Sequence, residues 1–129
     1  MKTLLELTDT EKAILLYQLF PDEIEPFFNY AIGICEAILQ DIRRENIYWN
    51  DKHIPYEIWL TRVQQTRGIL LVSRQGIINS MLVFVEKLFA AELAPVMKYC
   101  LSLYTQNRRH PNPKFSLAAE LLSLGFSKL

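Results

Sequence analysis

The strongest constraint on the fold is a run of apolar residues in the first third of the chain, repeated at intervals of three and four. This spacing returns side chains to one face of an α-helix, whereas a strand would show alternation at every second residue. A stripe this wide faces a core and leaves one narrow side to solvent. It predicts a central second helix with the apolar members Ile24, Phe27, Phe28, Ala31, Ile34, Cys35, Ile38, Leu39 and Ile42.

A helix is also predicted before this run. Thr8 and Glu11 have the spacing of a capping box, in which each side chain accepts a hydrogen bond from the other residue's backbone amide. Thr3 and Glu6 have the same spacing, so the sequence offers two alternative starts for the first helix. Pro21 lacks the amide hydrogen that a continuing helix uses, and it predicts the end of this first helix.

Prolines and glycines divide the rest of the chain into further helices. Pro55 is predicted to occupy the first turn of a third helix, and Gly76 to separate the third helix from a fourth. Pro95 predicts a boundary between the fourth and fifth helices, with one kinked helix as the alternative. Gly125 is predicted to end a last helix in a left-handed cap.

The third and fourth predicted helices each carry an apolar stripe of their own. In the third, Arg67 and Arg74 lie at the edge of this stripe. The stripe of the third helix contains Tyr56, Trp59, Leu60, Val63 and Leu70, and that of the fourth contains Ile77, Ile78, Met81, Leu82, Val85, Leu88 and Phe89.

Composition agrees with a helical core. Half of the 129 residues are hydrophobic and only four are glycine, which excludes a disordered chain and disfavours a turn-rich β fold. We therefore predict one domain over residues 1–129, an all-α compact bundle of five or six helices with the second and fourth helices central.

Several functional classes lack their usual sequence signals. The scattered glycines form no phosphate-binding loop, and the two histidines, His53 and His110, have no metal ligand at helical spacing. We predict no cofactor, no metal and no catalytic residue, although an unusual site needs no known motif and the question of enzyme activity stays open.

The cysteines and the N-terminus bear on the cellular setting. Cys35 and Cys100 fall at apolar helical positions, which favours reduced core residues in the cytoplasm; a disulfide is the alternative if their helices pair. Glu6 and Asp9 interrupt the apolar run that a secretory signal needs, and no apolar run approaches the roughly 20 residues that span a bilayer. We predict a cytoplasmic protein without a membrane segment.

Two segments contain candidate binding residues. Tyr48, Trp49 and His53 lie in the predicted linker 45–55, where they would bind a protein partner; the alternative is that they cap one end of the bundle. A basic loop contains Arg108, Arg109 and Lys114, which would bind an anion or a nucleic acid; the alternative is a solvated loop.

The uneven distribution of charge and the excess of apolar residues bear on the function of the chain. Residues 1–50 carry nine acidic and four basic residues, and the remainder carries the balancing positive charge. Together with apolar surface on several helices, this predicts a small protein-interaction or regulatory module that self-associates. The alternative is a nucleic-acid-associated regulator that adds Arg67 and Arg74 to the basic loop, and a helical bundle that binds a small ligand ranks below both.

Overall fold

The computed structural model describes residues 6–40, 55–89, 92–106 and 115–126. These ranges contain no strand, and the predicted all-α bundle is confirmed. A π-helical segment, Phe20–Ile24, joins the first two helices. The α-helices of the described ranges are α1 (Asp9–Leu19), α2 (Glu25–Gln40), α3 (Tyr56–Ser73), α4 (Ile78–Leu88), α5 (Ala94–Gln106) and α6 (Phe115–Phe126).

The predicted capping box starts α1. The backbone amide of Glu11 donates to Thr8 Oγ1 over 3.1 Å, and the Thr8 amide donates to Glu11 Oε1 over 3.2 Å. Two amides that a helix start leaves without a partner are thereby paired.

The first helix was predicted to end at Pro21, and α1 does end close to it, at Leu19. The chain nevertheless stays helical and continues into α2 through the π-helical segment. In a regular α-helix the proline ring would collide with the carbonyl one turn earlier. The wider π turn accommodates the ring, and the Glu25 amide donates to the carbonyl of Phe20, five residues back. This segment also buries Phe20 and Ile24.

The helices enclose one core. α2 packs against α3 and α5, α4 packs against α1 and α3, and α5 packs against α6. Each of the six helices contributes buried apolar residues to a single cluster, so most of the apolar excess in the sequence is used inside the chain. α3 therefore has α2 on one flank and α4 on the other.

The turn between α3 and α4 differs from its prediction at one point. Gly76 separates the helices as predicted, with a left-handed φ of 72° that favours glycine. Ile77 and Ile78 were predicted to be core residues, yet each is about half exposed. The backbone of Ile77 is extended, and this residue is the N-cap of α4. The Ile77 amide donates to Ser80 Oγ, which in turn donates to the Ile77 carbonyl.

Two other predicted boundaries, at Pro95 and at Pro55, hold with small changes. α5 begins at Ala94 with Pro95 in its first turn, as the predicted boundary requires. Pro55 directly precedes α3 instead of lying within its first turn. The linker around residues 45–54 lies outside the described residues.

Gly125 does not end the last helix, because α6 continues through it to Phe126. A side chain on Gly125 would collide with the ring of Phe89, which is itself packed edge-on against Phe84 and Phe126. Because Gly125 has no side chain, α6 can approach this ring closely.

We expect Gly125→Ala and Gly33→Ala to change stability in opposite directions. The added methyl of Gly125→Ala strains a packed aromatic contact and should lower the free energy of unfolding by about 1–3 kcal/mol. A methyl on Gly33 meets no atom within 4 Å, and it should raise stability by about 0.5–1 kcal/mol through helix propensity. Urea unfolding of both variants measures this. An unchanged or more stable Gly125→Ala protein contradicts the packing argument.

Candidate interaction surface

A surface groove lies between α3 and α4 and extends to the start of α5. Its main hollow has a volume of about 630 Å³ and opens to solvent, unlike the enclosed pockets that hold small molecules. Gly68 and Gln65 of α3 form part of one wall. The apolar lining consists of Ile69, Val72, Val83 and Leu93.

A second hollow, of about 470 Å³, continues the groove toward the start of α3. Glu57, Ile58 and Arg62 line it, and it shares Gln65 and Glu92 with the first hollow. The two hollows thus form one groove along α3, from Glu57 to Val72. At 1.5 Å per residue its length is about 22 Å, or roughly four helical turns. We call it the α3–α4 groove.

α3 has two stripes of residues, one buried in the core and one exposed along the groove. The first, which we call the inner stripe, consists of buried residues that include two small polar ones. The hydroxyl of Thr66 donates to the carbonyl of Arg62, and that of Ser73 to the carbonyl of Ile69, each over 2.7 Å. These bonds let polar side chains lie in the core. The members are Trp59, Val63, Thr66, Leu70 and Ser73.

The second stripe of α3 faces solvent and lines the groove. Ile58 is 45% exposed and Val72 is 49% exposed, although both are large apolar residues. We call this set the outer stripe, and its members are Ile58, Thr61, Gln65, Gly68 and Val72.

Gly68 lowers the wall of the groove at its centre. A Cβ atom placed there would meet no atom within 4 Å, so the packing of the chain does not require a glycine. A glycine inside a helix costs roughly 0.5–1 kcal/mol relative to alanine. What the glycine supplies is a bare stretch of helix backbone that another molecule can approach closely.

Charged residues of both signs surround the apolar lining. Glu86 and Lys87 come from α4, Glu92 precedes α5, and Glu57 and Arg62 come from α3. Such a mixed rim around apolar residues is the usual composition of a protein-binding surface.

Arg67 and Arg74, the helix-3 arginines of the nucleic-acid alternative, lie on the other flank of α3. Arg67 Nε is 3.7 Å from Glu36 Oε1, and Arg74 Nη1 donates to Asn29 Oδ1 over 3.3 Å. Both contacts are solvent-exposed and stabilise the fold only slightly. They direct the two arginines toward α2 and away from the groove.

The two cysteines are brought together in the core between α2 and α5. Cys35 and Cys100 are free thiols, and both are fully buried as predicted. A hydrogen bond with Cys35, followed by burial and the charge interaction with Cys35, raises the pKa of Cys100 well above its ordinary value. The helices do pair, which the disulfide alternative required, but the high pKa disfavours the reactive thiolate.

The six predicted site residues lie outside the described residues. This holds for the linker set, Tyr48, Trp49 and His53, and for the basic-loop set, Arg108, Arg109 and Lys114. Their roles remain predictions.

The groove was not predicted from the sequence, although the sequence contains a signal for it. Ile58 and Val72 are apolar residues left over after the stripe of Trp59, Val63 and Leu70 is assigned to the core. Leftover apolar residues at helical spacing on one helix indicate a second contact surface.

Comparison with protein-family models, with curated proteins and with solved structures found no match to this chain. In the described part of the chain, no cluster of three or more His, Cys, Asp and Glu side chains is arranged to hold a metal ion. None of the described helices has the length and apolar character needed to cross a membrane.

We expect the two thiols to be unreactive in the folded protein. Ellman's reagent should label neither cysteine at neutral pH, because both are buried and the pKa of Cys100 is raised, and it should label both after unfolding in urea. Rapid labelling of the native protein would contradict this burial.

We also expect the protein to lose stability in alkali. The folded-state pKa of Cys100 lies above its unfolded value, so the unfolded chain releases its proton first. The contribution of Cys100 to stability should be constant below roughly pH 8.5 and fall as the pH rises above it. Burial raises the pKa of Tyr104 as well, which extends the loss to higher pH. Thermal melts should show a shallower decline for Cys100→Ala than for the unmodified protein, and equal slopes would exclude the thiol as the cause.

Proposed function

We propose that this chain is a cytoplasmic protein-interaction module that binds a helical surface of a protein in the α3–α4 groove. The observation that carries the proposal is the exposed apolar pair Ile58 and Val72, near the two ends of the groove. α3 already buries a complete inner stripe, so these residues are not needed for the core. Exposed apolar residues that line a groove with a charged rim favour protein binding.

The shape of the groove supports a helix as the bound element. Helix-in-groove recognition uses apolar anchors that recur every three or four residues along the bound helix. A groove of about four turns accommodates two to three such anchors. The bare backbone at Gly68 allows the bound helix to approach α3 near the middle of the contact.

The cytoplasmic setting is part of the same proposal. Free thiols in the core are typical of proteins in a reducing compartment, and both cysteines of this chain are free and buried.

The nucleic-acid alternative has less support. Its helix-3 residues, Arg67 and Arg74, contact α2 side chains, and the rim of the groove carries both signs of charge. A nucleic-acid surface is strongly basic. This alternative now depends on Arg108, Arg109 and Lys114 of the basic loop.

A matched pair of variants tests the proposal. Gly68→Arg fills the centre of the groove, whereas Gly33→Arg adds the same side chain to an exposed position on α2. Arginine favours a helix over glycine and neither position is crowded, so both variants should fold. Affinity-tagged forms are expressed in the native cells, crosslinked and compared by quantitative mass spectrometry.

We expect the unmodified protein and Gly33→Arg to retain the same proteins, the chain itself included. Gly68→Arg should retain at least about tenfold less of them, because its side chain blocks the close approach. Equal retention by all three forms, or no specific retention by the unmodified protein, would overturn the proposal.

A further inference from the structure

The outer stripe of α3 has the spacing of a helix that pairs with another helix. Its members follow one another at intervals of three, four, three and four residues, which is the pattern of the contact positions in a coiled coil. The inner stripe is buried against the rest of the chain, whereas the outer stripe is exposed and has a large apolar residue near each end. The outer face is continuous with the α3–α4 groove.

The outer stripe is also nearly symmetric about its centre. Ile58 and Val72 each lie seven residues from Gln65, one on either side. If a second α3 is placed antiparallel across a two-fold axis through Gln65, Ile58 of each copy meets Val72 of the other. A surface that meets itself in this way is what a closed, symmetric dimer requires.

Gln65 on the two-fold axis would fix the register of such a pair. A glutamine amide has both a donor group and an acceptor oxygen, so two copies of the same side chain can hydrogen-bond to each other. Single polar residues at contact positions of paired helices specify register in this manner. A slip by one heptad would separate the two amides and leave Ile58 without its apolar counterpart.

Charges at the centre of the groove are complementary in the same arrangement. The antiparallel register places Arg62 of one copy opposite Gly68 of the other, where no side chain obstructs it. The Arg62 guanidinium then reaches the α4 wall that carries Glu86, on the far side of Gly68. Two-fold symmetry repeats this opposite-charge contact on the other side of the axis.

We infer that the occupant of the α3–α4 groove is a second copy of this chain, with the two α3 helices antiparallel about Gln65. This inference rests on the proposed function and names the partner. The paired stretch of α3, from Ile58 to Val72, is about 21 Å long in each copy. Since only Ile58 and Val72 of the outer stripe are large apolar residues, the dimer should be weak, with a dissociation constant of about micromolar or above.

Sedimentation equilibrium on the purified full chain tests the pairing. Val72→Glu places a carboxylate against Ile58 of the second copy and should weaken the dimer at least about tenfold. The control is Leu117→Glu on α6, because Leu117 is also a large exposed apolar residue and does not line the groove. It should dimerise like the unmodified protein.

A charge exchange tests the cross-copy contact. Arg62→Glu and Glu86→Arg should each weaken the dimer, because like charges then meet across the axis. The double variant should restore much of the association, which a purely structural role of either residue would not produce.

Single cysteine substitutions test the orientation. Oxidation of Gln65→Cys with diamide should link two copies, since the substituted residues meet at the axis; two thiols form one disulfide and diamide is reduced to the hydrazine. Val72→Cys alone should not link, because the two sites lie far apart when the helices are antiparallel. A mixture of Ile58→Cys and Val72→Cys chains should link to each other.

Three outcomes would overturn the inference: a monomer at several hundred micromolar, equal effects of Val72→Glu and Leu117→Glu, or efficient linking of Val72→Cys to itself. If the chain is a monomer while Gly68→Arg still abolishes capture of other proteins, the proposed function stands and the second copy is the wrong occupant. A dimer unaffected by any groove variant counts against both.

Discussion

The structure depends on a continuous set of aromatic contacts that joins helices far apart in the sequence. Phe28 of α2 packs against Phe84 of α4 with ring centres 4.8 Å apart, and Phe84 contacts Phe126 of α6 edge-on. Phe27, the neighbour of Phe28, contacts Tyr104 of α5. Because both branches start from α2, this helix is linked through aromatic rings to α4, α5 and α6. The edge-to-face pairs, Phe27 with Tyr104 and Phe84 with Phe126, stabilise the core beyond the effect of the area that the rings bury.

This arrangement explains why α3 has a free face. The aromatic network joins α2 to α4, α5 and α6, while α3 fits between α2 and α4 through the inner stripe. Thr66 and Ser73 are small enough for helices to pack closely on that side, and their hydroxyls are satisfied by the helix backbone. The other side of α3 is left to solvent, and it is there that Ile58 and Val72 are exposed.

Local patterns in the sequence predicted the elements whose causes are themselves local. The stripe of α2 from Phe27 to Ile38, the capping box at Thr8 and the turn at Gly76 depend on neighbouring residues and were predicted correctly. The predicted last member of the stripe, Ile42, lies outside the described residues. The role of Gly125 was predicted wrongly because it depends on the ring of Phe89, which directly follows α4 and is absent from any local pattern around Gly125. The α3–α4 groove was not predicted for a related reason. An apolar stripe shows which face a helix buries, whereas the exposure of its other faces depends on where the other helices pack.

The π-helical segment between α1 and α2 has a geometric consequence for both helices. A helix advances by about 100° per residue, so one additional residue in a turn rotates everything before it by that angle. Ala13 and Leu16 of α1 and Phe28 of α2, which lie on either side of this offset, are all fully buried in the same core. The five residues from Phe20 to Ile24 therefore carry the rotation between the two helices, and Pro21, which would end an ordinary helix, lies in the widened turn.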